Sequence, residues 1–189
     1  MEICGIDEAG RGPIAGPMVF AGVILKDKGK WINMLNDSKK LSVKKREELF
    51  EIIKENSLYH IVFKSNIEID NKGLSVCIKE SLIEIKNTLK AKRYLFDGNS
   101  NFGVEGIETI IKGDEKIKEI SAASILAKVT RDKFMVEISS KYPEYKFEKH
   151  KGYITKEHKE LIQKYGMCEI HRKSYKLKPS TPSLFEGLI

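Results

Sequence analysis

The sequence predicts an α/β protein in which a mixed five-stranded sheet is flanked by helices, with a helical extension at the C-terminal end. Three observations point there. Two strand-like runs open the chain with no helix between them, and the second, Met18 to Leu25, is apolar on both faces, as a buried strand must be. Three further short apolar runs alternate with segments of helical periodicity, the pattern that joins strands through helices. Acidic residues follow several of these runs, at the end of the sheet where open α/β proteins place their ligands.

In chain order, Glu2 to Asp7 reads as the first strand and Met18 to Leu25 as a central one. Ser42 can cap a helix that carries Leu49, Phe50, Ile52 and Ile53 at helical spacing. Leu58 to Lys64 returns as a strand, and a helical stretch rich in Ile and Lys runs on to about Leu89. Arg93 to Phe96 is a short strand ending at Asp97, and Thr109 to Ile111 another ending near Asp114. Ile117 to Tyr142 forms a long helix whose Ala122, Ala123, Ser124 and Ala127 suit close packing on the sheet. Thr155 caps a last helix that Gly166 stops, and Pro179-Ser180-Thr181-Pro182 begins an extended tail.

At 189 residues the chain is expected to be one domain, with residues 143–178 as a basic helical C-terminal extension and 179–189 as a tail. Charged residues make up 32% and hydrophobic residues 41%, which suits a folded chain rather than a disordered one. The longest uncharged stretch ends at Leu25 and is broken by Gly16, Pro17 and Gly22, so it does not read as a membrane helix. Cys4, Cys77 and Cys168 are odd in number and lack a C-x-x-C pair, which argues against a disulfide framework or zinc site and for a cytoplasmic protein. The net charge of +7 is concentrated in residues 26–46 and 141–178, two basic arms around an acidic centre. Such arms suit a partner with a polyanionic backbone.

That acidic centre carries the chemistry. Asp7 and Glu8 stand side by side and lead into a turn of Gly10, Arg11, Gly12 and Pro13. Adjacent anions raise each other's pKa unless a cation intervenes. Asp97 and Asp114 each sit in a glycine turn after an apolar run, at the edge of a core where a lone anion is costly. Four such carboxylates can share one place if Mg²⁺ or Mn²⁺ neutralises them, and two such ions are expected here for phosphodiester hydrolysis. Because successive strand residues face opposite ways, Asp7 and Glu8 are expected to meet the same ions only if the strand ends or bulges between them.

The motifs GIDEAGRGPIAGP (5–17), DSKKLS (37–42), YLFDGN (94–99), KGD (112–114), ISAASILAKVTRD (120–132), HKGY (150–153) and EIHRKSY (169–175) follow one another along nearly the whole chain. In this series the chain resembles the ribonuclease HII family, the type 2 ribonucleases H, with Tyr175 where Phe is more usual. The resemblance implies an RNase H-like fold and endonucleolytic cleavage of RNA–DNA hybrids. It also implies incision at ribonucleotides embedded in duplex DNA, leaving 5′-phosphate and 3′-hydroxyl ends. Asp7, Glu8, Asp97 and Asp114 fall on the family's catalytic positions. By that analogy Asp7 bridges two ions, Asp114 serves the nucleophile side, and Glu8 with Asp97 the leaving-group side.

Gly10, Arg11 and Gly12 match the loop that senses a ribose 2′-hydroxyl, and Tyr153 the tyrosine that packs on the following deoxyribose. Lys39, Lys128 and Arg131 are candidates for phosphate contacts, the last two lying on one helix face. His171 reads as structural. A monomer is expected, and Ser183-Leu184-Phe185 is a faint match to a sliding-clamp-binding peptide. The alternatives are a ribonuclease HIII, which Tyr153 and the early position of Asp7 disfavour, another RNase H-fold nuclease, or a nucleic-acid-binding module without catalysis.

Overall fold

The computed structural model describes residues 2–26 and 29–176, with the side chains of residues 36–40 excepted. Strand β1 (Ile3–Ala9) is followed by β2 (Met18–Leu25), a 3₁₀ segment (Lys30–Lys40) and helix α1 (Val43–Glu55). Next come β3 (Ser57–Lys64), α2 (Asn66–Lys72), α3 (Leu74–Thr88), β4 (Arg93–Asp97) and β5 (Ile107–Ile110). A 3₁₀ turn at Gly113–Glu115 leads into the long α4 (Lys118–Ser139). After a second 3₁₀ turn (Pro143–Tyr145) come α5 (Phe147–His150) and α6 (Lys156–Tyr165), the last helices among the described residues.

The strands form one mixed sheet in the order β3-β2-β1-β4-β5. The β1–β2 and β2–β3 pairs are antiparallel, while β1–β4 and β4–β5 are parallel. All eight residues of β2 are buried, as its two-faced apolarity predicts, yet the middle strand is β1. The expected single helical stretch before Leu89 is two helices, because the chain breaks at Gly73. Ser42 and Thr155 both cap as expected, accepting from the backbone N–H of Lys45 and His158.

One face of the sheet packs against α3 through Cys4, Ile6, Phe20 and Phe96, which meet Ile78, Leu82 and Ile85. The other face packs against α4 and α1 through Ala21 and Val23, which meet Ala122, Ala123, Leu126 and Leu49. The small residues of α4 let backbones approach closely. A Cβ on Gly5 of β1 would lie 2.2 Å from the backbone carbon of Glu119, so only glycine fits under the start of α4. A third cluster of Ile14, Ala15, Met135, Tyr145, Phe147 and Ile162 fastens the α5–α6 region to the C-terminal half of α4. These contacts set β1, the end of β4 and the first turns of α4 around one point.

Candidate active site

β1 does not end between Asp7 and Glu8. It pairs regularly with β2 through Ala9↔Val19, without a bulge, which corrects the expectation of a break there. The pairing with β4 stops at Ile6↔Phe96, so Asp7 comes level with Asp97, the last residue of β4, and Glu8 extends beyond it. The missing part of the β4 ladder, not a bulge, lets both residues feel Asp97. Asp97 in turn accepts from the backbone N–H of Gly113 at 3.0 Å, which ties it to the turn carrying the buried Asp114.

Burial, and then the charges of Glu8 and Asp97, hold the Asp7 carboxyl well above the usual carboxylate range. A hydrogen bond from Ser124 of α4 and one from the Glu8 backbone N–H at 2.7 Å oppose that rise. Burial also pushes the Glu8 carboxyl up to about 7; Arg11 pulls it down and Asp97 adds to the rise. The Arg11 Nε lies 2.6 Å from Glu8 Oε1, while its guanidinium packs over Phe96 and Phe102. The cation beside the acidic pair is therefore Arg11, and it serves Glu8. Glu8 Oε2 is buried without a hydrogen-bond partner.

A buried oxygen without a donor, in a pair of carboxyls whose proton affinity burial and Asp97 raise, is what a hard divalent cation would relieve, so these residues fit such an ion. Among the described residues no three carboxylate, imidazole or thiol groups stand close enough together to hold a metal ion as they are placed. Like charges repel until a cation neutralises them.

Beside this point opens a cavity of about 400 Å³, lined by Glu8, Gly10, Arg11, Gly12, Arg46, Ser124, Lys128 and Tyr153 among others. Gly10 has a φ of 99°, and a Cβ there would lie 2.2 Å from Arg131 Nε and 2.7 Å from the Pro17 carbonyl. The loop is gripped from behind. Arg172, fully buried, donates from Nη2 to the Gly10 carbonyl at 2.7 Å and from Nη1 to the Arg11 carbonyl at 3.0 Å. The Tyr175 hydroxyl donates to the same Arg11 carbonyl at 2.7 Å. In a planar trans peptide the next N–H points opposite to the carbonyl. Holding these two carbonyls therefore turns the N–H groups of Arg11 and Gly12 away from Arg172.

The predicted site residues divide in the structure. Glu8, Gly10, Arg11, Gly12, Lys128 and Tyr153 share the cavity, and Asp7 and Asp97 adjoin Glu8. Lys128 bonds Asp132 at 2.8 Å, and its Nζ lies 5.9 Å from the Tyr153 ring. Arg131 is corrected. It is fully buried and donates to the carbonyls of Pro17 (2.9 Å), Lys151 (2.9 Å) and Ala15 (3.0 Å), so its guanidinium is committed to the main chain and not to a phosphate. The side chain of Lys39 and the whole of the tail, residues 179–189, lie outside the described residues. Arg172, Tyr175, Arg46 and the bond from Ser124 were not foreseen. The EIHRKSY motif was the available signal for the first two, since a charged residue in a motif far from the acidic centre had no other evident use.

The sequence profile described as ribonuclease HII matches residues 4–178. The chain belongs to the ribonuclease HII family. It is therefore a ribonuclease H, an endonuclease acting on RNA–DNA hybrids. It is 55% identical over 184 residues to a ribonuclease HII of Sulfurovum sp., covering 97% of this chain and 96% of that one. The fold is similar to that of ribonuclease HII from Archaeoglobus fulgidus, solved in complex with PCNA, with a TM-score of 0.83, 28% identity and 96% and 98% of the two chains covered. It is also similar to ribonuclease H2 from Pyrococcus horikoshii OT3, with a TM-score of 0.78, 27% identity and 93% and 94% covered. Among the described residues no helix is long and apolar enough to cross a membrane.

Proposed function

We propose that this ribonuclease HII cuts the RNA strand of RNA–DNA hybrids and also incises duplex DNA at embedded ribonucleotides, with Asp7, Glu8, Asp97 and Asp114 holding two Mg²⁺ or Mn²⁺ ions. The observation that carries this reading is the mutual electrostatic strain of Asp7, Glu8 and Asp97 beside a cavity walled by the Gly10–Gly12 loop. Two bound divalent ions supply an activated water and charge neutralisation at the leaving oxygen, giving 5′-phosphate and 3′-hydroxyl ends. The protein's own groups select the linkage. The Arg11 and Gly12 N–H groups, aimed by Arg172 and Tyr175, meet a 2′-hydroxyl, which both donates and accepts. The exposed ring of Tyr153, across the cavity, packs on the following sugar and leaves no room for a second 2′-hydroxyl.

Lys128 and Arg46, which line the cavity, are the proposed phosphate contacts, and Lys39 lies on the same basic arm as Arg46. The chain acts as a monomeric catalytic domain in the cytoplasm, with residues 143–178 as its substrate-binding extension. A sliding clamp is the proposed partner of the tail at Ser183-Leu184-Phe185, since the Archaeoglobus relative was solved with PCNA.

The test uses DNA duplexes that differ in a single 2′-hydroxyl, with Mg²⁺, with Mn²⁺ and with chelator, and maps the product ends. Cleavage only of the ribose-containing duplex, only with divalent metal and with 5′-phosphate ends, is expected. Equal cutting of the all-deoxy duplex, or undiminished cutting in chelator, overturns the reading.

A further inference from the structure

Three histidines outside the acidic centre are buried together in the α5–α6 region, and their hydrogen bonds settle which nitrogen carries each proton. His158 Nδ1 lies 2.9 Å from the Tyr153 carbonyl, which can only accept, so Nδ1 bears the hydrogen and Nε2 a lone pair. His171 Nδ1 receives the backbone N–H of Cys168 at 3.0 Å, so its hydrogen is on Nε2. The two Nε2 atoms are 3.1 Å apart, one donor facing one acceptor. His150 stacks on His158 with ring centroids 4.1 Å apart, receives the Gly152 N–H and faces the Tyr145 carbonyl. The result is a directional chain of hydrogen bonds from the Cys168 backbone through His171 and His158 to the Tyr153 carbonyl, built from neutral imidazoles.

The neighbour of His171 in sequence is Arg172, which grips the Gly10 and Arg11 carbonyls. His171 is itself pinned by a β-bridge to Ala15 and by Asn66, which donates to its carbonyl. Consecutive residues of one segment therefore reach the two walls of the cavity, one the glycine loop and the other Tyr153.

We propose that His158 and His171 are positioning residues for incision, acting through the Tyr153 main chain to hold its ring at a fixed distance from the Gly10–Gly12 loop. That role rests on Tyr153 being the residue that packs on the sugar. Neither imidazole touches substrate, and neither needs to exchange a proton. The relay needs only a donor on the Tyr153 side of residue 158 and a matching acceptor facing His171. A protein that reads a sugar by contact gains from this, because a shift of about 1 Å at a positioning group can cost about a hundredfold in rate.

The experiment compares His158→Asn with His158→Leu on a duplex carrying one ribonucleotide. An asparagine amide can keep the donor to the Tyr153 carbonyl, whereas leucine fills the space without it. His158→Leu is expected to lower kcat about tenfold while the Kd for the duplex changes less than about twofold, and His158→Asn, which keeps the donor to Tyr153 but not the acceptor facing His171, to recover part of that loss. His171→Phe, which keeps an aromatic ring against Tyr145 and Phe147, is a second variant with the same expected direction should leucine prevent folding.

Each variant is then placed in a Tyr153→Ala background. A relay that acts only through Tyr153 adds less than about twofold there. Losses that multiply in the double variants, or an asparagine variant as poor as leucine, overturn the relay while leaving Tyr153 in its role. A Tyr153→Ala variant with the parent's kcat overturns the role of Tyr153 itself, and the relay with it.

Discussion

The acidic end of β1 and the segment 168–175 lie on opposite sides of one loop and are electrostatic opposites. At the acidic end, Asp7 and Glu8 carry raised proton affinities, Asp97 adds to both, and a buried oxygen of Glu8 has no donor. In the segment behind the loop, the buried arginine and histidine have protein partners. Arg172 has four acceptors in Gly10, Arg11, Gly16 and Tyr175, and His171 is held at both ring nitrogens. Frustrated groups mark where a ligand belongs, and satisfied ones mark what aims it. Charge type alone does not separate the two, since Arg131 and Arg172 are as ionic as Asp7.

The sharpest way to break that comparison is Asp7→Asn. If Asp7 belongs to the ligand-dependent side, turnover falls by about a thousandfold or more while duplex binding persists, read by cleavage kinetics and fluorescence anisotropy. The sign of the stability change is also set. A carboxyl whose folded pKa is raised weakens the fold at pH values above its unfolded pKa, so the metal-free Asn variant should be at least as stable as the parent at pH 8. A clear loss of stability there would move Asp7 to the structural side.

Arg131→Ala probes the opposite class. It leaves the carbonyls of Pro17, Lys151 and Ala15 without their donor in a buried place and should cost about 3–5 kcal/mol in urea unfolding. A variant of parental stability with weakened duplex binding would return Arg131 to the phosphate contacts. Tyr153→Ala, on the exposed wall, should slow incision at a single ribonucleotide about tenfold with little change in urea midpoint.

The histidines give a pH signature. Burial, the first cause, holds His158 and His171 down to about 4, against an ordinary value of 6.5. Between those values the unfolded chain binds protons that the folded chain does not, so stability should fall as pH drops from about 6.5 to about 4 and level off below. The groups around them are His150 and Cys168, with Glu144, Glu148, Glu157 and Lys151 acting on those two. His171→Phe should shallow that slope, and an unchanged slope would show that other groups carry it. The smallest effect is expected from Lys128→Ala, which should reduce the salt dependence of duplex binding by about one unit of slope and, through the lost Asp132 pair, cost no more than about 0.5 kcal/mol of stability.

Much of the fold was legible because its signals are local. Ser42 and Thr155 cap where expected, the two-faced apolarity of Met18–Leu25 foretold its burial, and small residues on α4 foretold close packing. The nearness of Asp97 to the Asp7–Glu8 pair was legible as well, from paired charge and glycine turns. Arg131 misled because its spacing from Lys128 says which helix face it shares, not whether that face is wet at both positions. The expected break after Asp7 misled for a related reason, since the register of β1 against β4 is a property of two distant segments.

The chain's own order of residues determined which elements form, where they start and stop, and which acidic groups could gather, because capping, periodicity and turn chemistry act over a few residues. Tertiary structure alone decided that Arg131 and Arg172 hold carbonyls rather than substrate. It also placed two neutral imidazoles, His171 and His158, in a hydrogen-bonded line and brought residues 171 and 172 behind residues 10 and 153. Those outcomes depend on burial and, for the two arginines, on carbonyls more than a hundred residues away, and desolvation is a property of the folded surroundings rather than of any stretch of sequence.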